Sequence, residues 1–199
     1  MVQRGAYSKG IAKREEILTA ALEIVARNGY SRATVRELAD AVGLSQTGLL
    51  HYFGTKEQLF TEILRRRDEV DQRFYGDFDA AGLPDMAGGL ERLVRHNAEV
   101  PGLVQLFSRF SSEAAEPGHP AHEFFRERYE TARAGIGAGV ERLRQAGRLP
   151  SDVDTERVTV LMLAVMDGLQ MQWMYDPAVD MADHVAYLWR LVAGEQGEG

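Results

Sequence analysis

Three helix starts crowd into the stretch from Thr34 to Thr55, and this compression constrains the fold more than any other feature of the chain. Thr34 stands where an N-cap belongs, ahead of an apolar stripe of Val35, Leu38, Ala39 and Val42. Gly43 stops that segment and Ser45 caps the next. Gln46 to Phe53 then leaves room for only about two turns before Gly54-Thr55 repeats the stop-and-cap pair. Two short helices joined by a tight turn with glycine near its centre match the helix-turn-helix pattern. A pair so short has to be read together with what surrounds it.

That geometry suits DNA. One helix (Val35–Val42) crosses the backbone while the second offers its first turn, Ser45-Gln46-Thr47-Gly48, to base edges in the major groove. Gln46 is able to read adenine through two hydrogen bonds, and Ser45 and Thr47 to contact bases or phosphates. Gly48 lets the backbone come close. Arg36, His51, Tyr52 and Lys56 add phosphate donors, and the amides at the helix start by Thr55 suit an anion.

Charge agrees with this placement. The 199 residues carry a formal charge of −7, which argues against general affinity for polyanions. Residues 1–56, however, hold eight Lys/Arg and five Asp/Glu (+3), and the remainder holds 15 and 25 (−10). A basic head on an acidic body is the polarity of a protein that meets nucleic acid at one end.

Helical periodicity runs through the rest, without a convincing alternating strand, so the expected class is all-α. Ile11–Asn28 places Ile17, Leu18, Ala21, Leu22, Ile24 and Val25 on one side and ends at Gly29. Further helices are expected from Lys56 towards Phe74, over Leu90–Val100, 103–114 and 121–146, from a cap at Asp152 or Asp154 to Tyr175, and over 179–192. Gly82–Gly89 reads as a break. Two parts follow: a helix-turn-helix domain at 1–56 and a helical domain at 57–199.

The run of motifs resembles the DNA-binding domain of TetR-type transcriptional regulators. It comprises Asn28-Gly29-Tyr30, "TVRELA" at Thr34–Ala39, "GLS" at Gly43–Ser45, "HYF" at His51–Phe53 and "TKEQL" at Thr55–Leu59. The resemblance implies that Thr34 and Tyr52 contact phosphate, that Gln46, Thr47 and Gly48 lie along the groove, and that Lys56 anchors the backbone. Many members carry tyrosine where this chain has Leu50, so that donor is missing or replaced by His51. "DGLQMQWM", Asp167–Met174, resembles the dimer-helix segment of members with a betaine-repressor-like C-terminal domain.

The resemblance implies an effector-binding and dimerisation body. The helix ending at Tyr175 is apolar nearly all round, as one buried on two sides must be. One side of it (Met162, Met166, Gln170, Trp173) is available to line a pocket. The other is available to a partner, through Leu161, Val165 and Leu169, with Val185, Leu188, Trp189 and Val192 of the last helix completing a four-helix interface. Phe107, Phe110, Phe124 and Tyr129, with His96 as a polar group, extend the candidate pocket for a small apolar or amphipathic effector. Aromatics at this spacing also serve plain packing.

Gly135, Gly137 and Gly139 lack the spacing and preceding strand of a dinucleotide fingerprint, although Gly135 and Gly139 share a helical face that another helix can approach. His119, His122 and Glu123 form a weak metal pattern in a proline turn, so no metal or other cofactor is expected. No cysteine is present, no signal-type apolar segment opens the chain, and Val158–Met166 is too short to span a bilayer. The resulting expectation is a cytoplasmic, homodimeric repressor, without a membrane partner, released from a palindromic double-stranded operator by a small molecule. The competing reading is a small-molecule-binding helical protein or enzyme with an incidental helix-turn-helix. No nucleophile elbow, zinc-protease motif or phosphate loop supports catalysis.

Overall fold

The computed structural model describes residues 2–29, 33–75 and 85–195, with side chains described for all of these except 2–9 and 72–75. Tyr30, the first part of the Gly82–Gly89 segment and the Phe74 side chain lie outside them. Among the described residues the chain forms helices and no strand. They are α1 Val2–Asn28, α2 Val35–Ala41, α3 Gln46–Phe53, α4 Lys56–Tyr75, α5 Met86–Glu99, α6 Pro101–Glu113, α7 His122–Gln145, α8 Thr155–Tyr175 and α9 Met181–Ala193.

Cap chemistry explains most boundaries. The Thr34 side chain accepts from the Glu37 amide and Glu37 accepts from the Thr34 amide, a closed capping box at α2. Ser45 caps α3, and Thr55 and Gln58 exchange the same pair of bonds at the start of α4. Asp154 rather than Asp152 starts α8, and Asp180 takes the amides of Ala182 and Asp183 at α9. Pro101 opens α6 in the first helical turn, where its missing N–H costs nothing. Two boundaries differ from the periodic pattern by more than two residues. Polar residues without proline carry α1 back past Ile11 to Val2, beyond any apolar stripe. Asp85 accepts from the Gly88 amide at 3.0 Å, so α5 begins a turn before Leu90 and runs through Gly88 and Gly89.

The helices group into two compact units, Met1–Val70 with Val100–His122, and Asp71–Glu99 with Glu123–Gly199. The first unit thus extends past residue 56 by taking in α4 to Val70 and all of α6. Its core draws Ile17, Leu18, Ala21 and Val25 from α1, Leu38 from α2, Leu49 and Phe53 from α3, Leu59, Phe60 and Ile63 from α4, and Leu106 and Phe110 from α6. The Phe60 and Phe110 rings meet edge to face, with centroids 6.3 Å apart.

In the second unit α9 packs on both α5 and α8. Leu90, Leu93 and Val94 meet Met162, Met166 and Leu169 of α8 and Met181, Ala182 and Val185 of α9 in one cluster. Ile136, Val140 and Leu143 of α7 form a second cluster with Leu149. Leu169 and Val185, expected at a partner interface, are buried within the single chain. A helix apolar all round offers no period by which to choose its inner face. Of the α7 glycines, Gly139 admits Met86, whose sulfur occupies the space a Cβ would take, whereas Gly135 is exposed and faces no neighbour within 4 Å.

Candidate nucleic-acid interface

The first turn of α3 is built by local chemistry. Ser45 Oγ accepts the Gly48 amide at 3.0 Å, and a Cβ on Gly48 would lie 3.1 Å from that oxygen. Gly48 therefore makes room for the cap as well as keeping the backbone low. Leu49 and Phe53 are buried on one side of this two-turn helix, which leaves Gln46 and Thr47 exposed on the other. Ser45 is exposed beside them. His51 is also exposed, its ring edge-on to the half-buried Tyr52 at 6.2 Å. Leu50 is half-buried.

The flanking elements hold the remaining expected contacts. Thr34 is exposed at the start of α2 with its hydroxyl engaged by Glu37 on both sides of the cap. Arg36, in the first turn, pairs with Asp40 at 3.9 Å and stays largely exposed. Lys56 opens α4 with its ammonium 5.6 Å from the Phe60 ring centroid. The amides of Thr55 and Gln58 are bound to each other's side chains, so those two are not offered to an anion as the cap pattern alone implied.

The structure also shows a basic residue that sequence reasoning missed. Arg14 of α1 donates to the Tyr52 carbonyl at 2.8 Å and to Glu62 at 2.7 Å. Its partners lie 38 and 48 residues away, beyond the reach of any local pattern. Lys13, its neighbour, donates to the Val42 carbonyl at 3.4 Å at the end of α2.

The expected pocket residues divide between the units. Phe107 and Phe110 are buried in the first, with Arg67 above the Phe107 ring at 5.7 Å. The other seven belong to the second. Met162 and Met166 are members of its larger cluster, and Trp173 packs against it half-buried. Gln170 is buried and donates to the Met166 carbonyl at 3.4 Å. Phe124 meets Phe125 edge to face at 5.0 Å, and His96 lies 3.4 Å from Glu99 and 3.8 Å from Asp71.

Tyr129 donates to Asp167 at 2.6 Å, tying α7 to α8. Burial pushes the Asp167 carboxyl above its ordinary range, against the opposing effects of that hydrogen bond and the Arg128 charge. Burial and then the Asp167 bond push the Tyr129 phenol up as well. A carboxyl whose folded value exceeds its unfolded value contributes stability that is complete below about pH 4 and lost as pH rises through the folded value. Asp167→Asn keeps an acceptor for Tyr129 and is expected to flatten that decline. Denaturant unfolding measured across pH 4–7 in both proteins checks this, and identical pH profiles would refute it.

Of the expected interface set, Leu161 is exposed. Val165 and Leu188 are half-buried against the larger cluster, Val192 against the smaller one and Trp189 against both. The exposed large apolar residues of α8 and α9 are Val160, Leu161, Met171 and Tyr175 with Tyr187 and Leu191.

A capped short helix with exposed polar groups on its first turn, set by a tight turn behind another short helix, is the helix-turn-helix of a transcription regulator. Family comparison makes this specific. Residues 17–63 match the model of bacterial regulatory proteins of the tetR family, and residues 90–194 match that of the BetI-type transcriptional repressor C-terminal domain. The chain belongs to the TetR family of transcriptional repressors.

Among its relatives, the transcriptional repressor AcnR of Corynebacterium diphtheriae is 30% identical over 163 residues, 78% of each chain. AcnR of Corynebacterium efficiens is 28% identical over 165 residues, 80% of this chain and 81% of that one. A TetR regulator from Haloarcula marismortui shares the fold with a TM-score of 0.72 at 21% identity, over 92% of this chain and 97% of its own.

Proposed function

We propose that this repressor acts as a homodimer in the cytoplasm, reads a palindromic operator through α3 of each copy, and releases it when a small apolar or amphipathic effector enters the helical body beyond residue 56. The observation that carries this reading is the exposed Gln46-Thr47 pair on a helix anchored from behind by Leu49 and Phe53. Effector control requires that the ligand bind more tightly to a state whose two reading helices no longer match adjacent grooves. The partner is a second copy seated on the exposed apolar residues of α8 and α9. No helix among the described residues is long and apolar enough to cross a membrane.

Selection of bound sequences from a random DNA pool tests the proposal. Symmetric half-sites about 34–36 Å apart, or a multiple of that, are expected. A pool that never enriches would overturn it. Two variants then separate reading from anchoring. Gln46→Ala is expected to cost about 1–3 kcal/mol on the operator and to relax preference at one position per half-site. Lys56→Ala is expected to weaken all sequences alike and to reduce the log–log salt slope by about one. If Gln46→Ala leaves the selected sequence and its affinity unchanged, recognition rests on Thr47, His51 or DNA shape.

A further inference from the structure

We propose that Arg14 is a positioning residue for α3, holding the reading helix at the angle at which Gln46 and Thr47 meet base edges. The proposal rests on α3 being the reading helix, and its test is built so that the two can fail separately. Arg14 joins three elements. From α1 it donates through Nη1 to the Tyr52 carbonyl at 2.8 Å and through Nη2 to Glu62 Oε2 of α4 at 2.7 Å. Its guanidinium carbon also lies 4.5 Å from the centre of the Phe53 ring. Glu62 is braced in turn by Arg65 at 3.5 Å.

The last carbonyls of a helix have no partner within it and carry its negative pole. The Tyr52 carbonyl is one of these in α3. A cation that binds it and is tied to α4 fixes that end of the helix in direction as well as satisfying it. This matters because α3 is short. Leu49 and Phe53 are its only buried side chains, so few apolar anchors resist a tilt. Gln46 lies about 9 Å along the axis from Tyr52, so a tilt of about 10° there moves it by about 1.6 Å. That exceeds the tolerance of a hydrogen bond. Half-exposed ion pairs contribute little to stability, so orientation is the property this one is suited to supply.

Lysine keeps the charge but cannot place two N–H groups on two separate acceptors in one plane, so Arg14→Lys isolates the fork. On the selected operator it is expected to lower affinity about tenfold, leaving binding to random DNA and the salt slope unchanged. Glu62→Gln weakens one arm of the fork and is expected to cost about threefold in the same pattern. Parallel losses on operator and random DNA would show Arg14 to be a phosphate contact, and unchanged operator affinity would show it to be idle. Either result overturns the proposal.

Amide hydrogen exchange in the free protein supplies a readout that needs no DNA. The amides of the last turn of α3, through the Gly54 N–H that donates to Leu50, are expected to exchange about tenfold faster in Arg14→Lys. Unchanged exchange there overturns the positioning role even if the protein binds no operator. Faster exchange together with a chain that selects no DNA sequence would keep the role and sink the reading of α3.

Discussion

Replacing Gly102 by alanine is expected to destabilise the protein by about 3 kcal/mol and to lower its melting temperature by about 6–12 °C. Gly102 sits in the first turn of α6, where that helix abuts the end of α1. A Cβ built there would fall inside the shell of the Val25 carbonyl oxygen and 2.9 Å from both the nitrogen and the Cα of Gly29. All three are backbone atoms, so no rotamer change relieves the clash and the helices must part. Parting them strains Arg67, which is buried and donates to the Leu103 carbonyl one residue further on. It also separates the positive start of α6 from the negative end of α1. Circular dichroism melting of the variant checks this. A melting temperature within a degree of the parent would show that the contact relaxes freely.

Charging the exposed apolar row is expected to separate the two copies without unfolding either. Leu161 and Tyr187 are 58% and 55% exposed in the single chain. Leu161→Glu with Tyr187→Glu therefore adds charge where water already reaches, and the isolated fold loses little. In the proposed dimer the same carboxylates become buried without partners, at a cost of several kcal/mol. A dimer holds two reading helices on one operator, and loss of that linkage is expected to reduce operator affinity by about 100-fold or more. Sedimentation of the double variant as a folded monomer is the expected result. A dimer persisting at micromolar concentration would place the contact elsewhere. Leu169→Glu is the informative contrast: its site is in the core of one chain, so it is expected to unfold the protein rather than divide it.

The span of α3 was legible from Gly43, Ser45 and Gly54 alone, and α4 began where Thr55 indicated. Each boundary depends on a cap or a stop that acts within about four residues, so the information is local. The start of α5 was misplaced because two glycines suggested a break, whereas one carboxylate, that of Asp85, carries the helix through them. The candidate reading residues proved exposed for the same local reason: the apolar pair Leu49 and Phe53 settles which side of α3 turns inward.

The body was less legible. Leu161 and Leu169 are both leucines of one helix, yet one is exposed and the other buried. The packing of α5 and α9 against α8 decides between them, through contacts separated by many residues in the chain. Phe107 and Phe110 belong to the first unit because α6 packs on α1. By itself the sequence determined the helical class, the caps and the family, since each is written in residue types at short spacing. Tertiary structure alone decided which side of an all-apolar helix is core, why residue 102 must be glycine and what Arg14 holds, because those properties depend on groups that meet only when distant segments fold together.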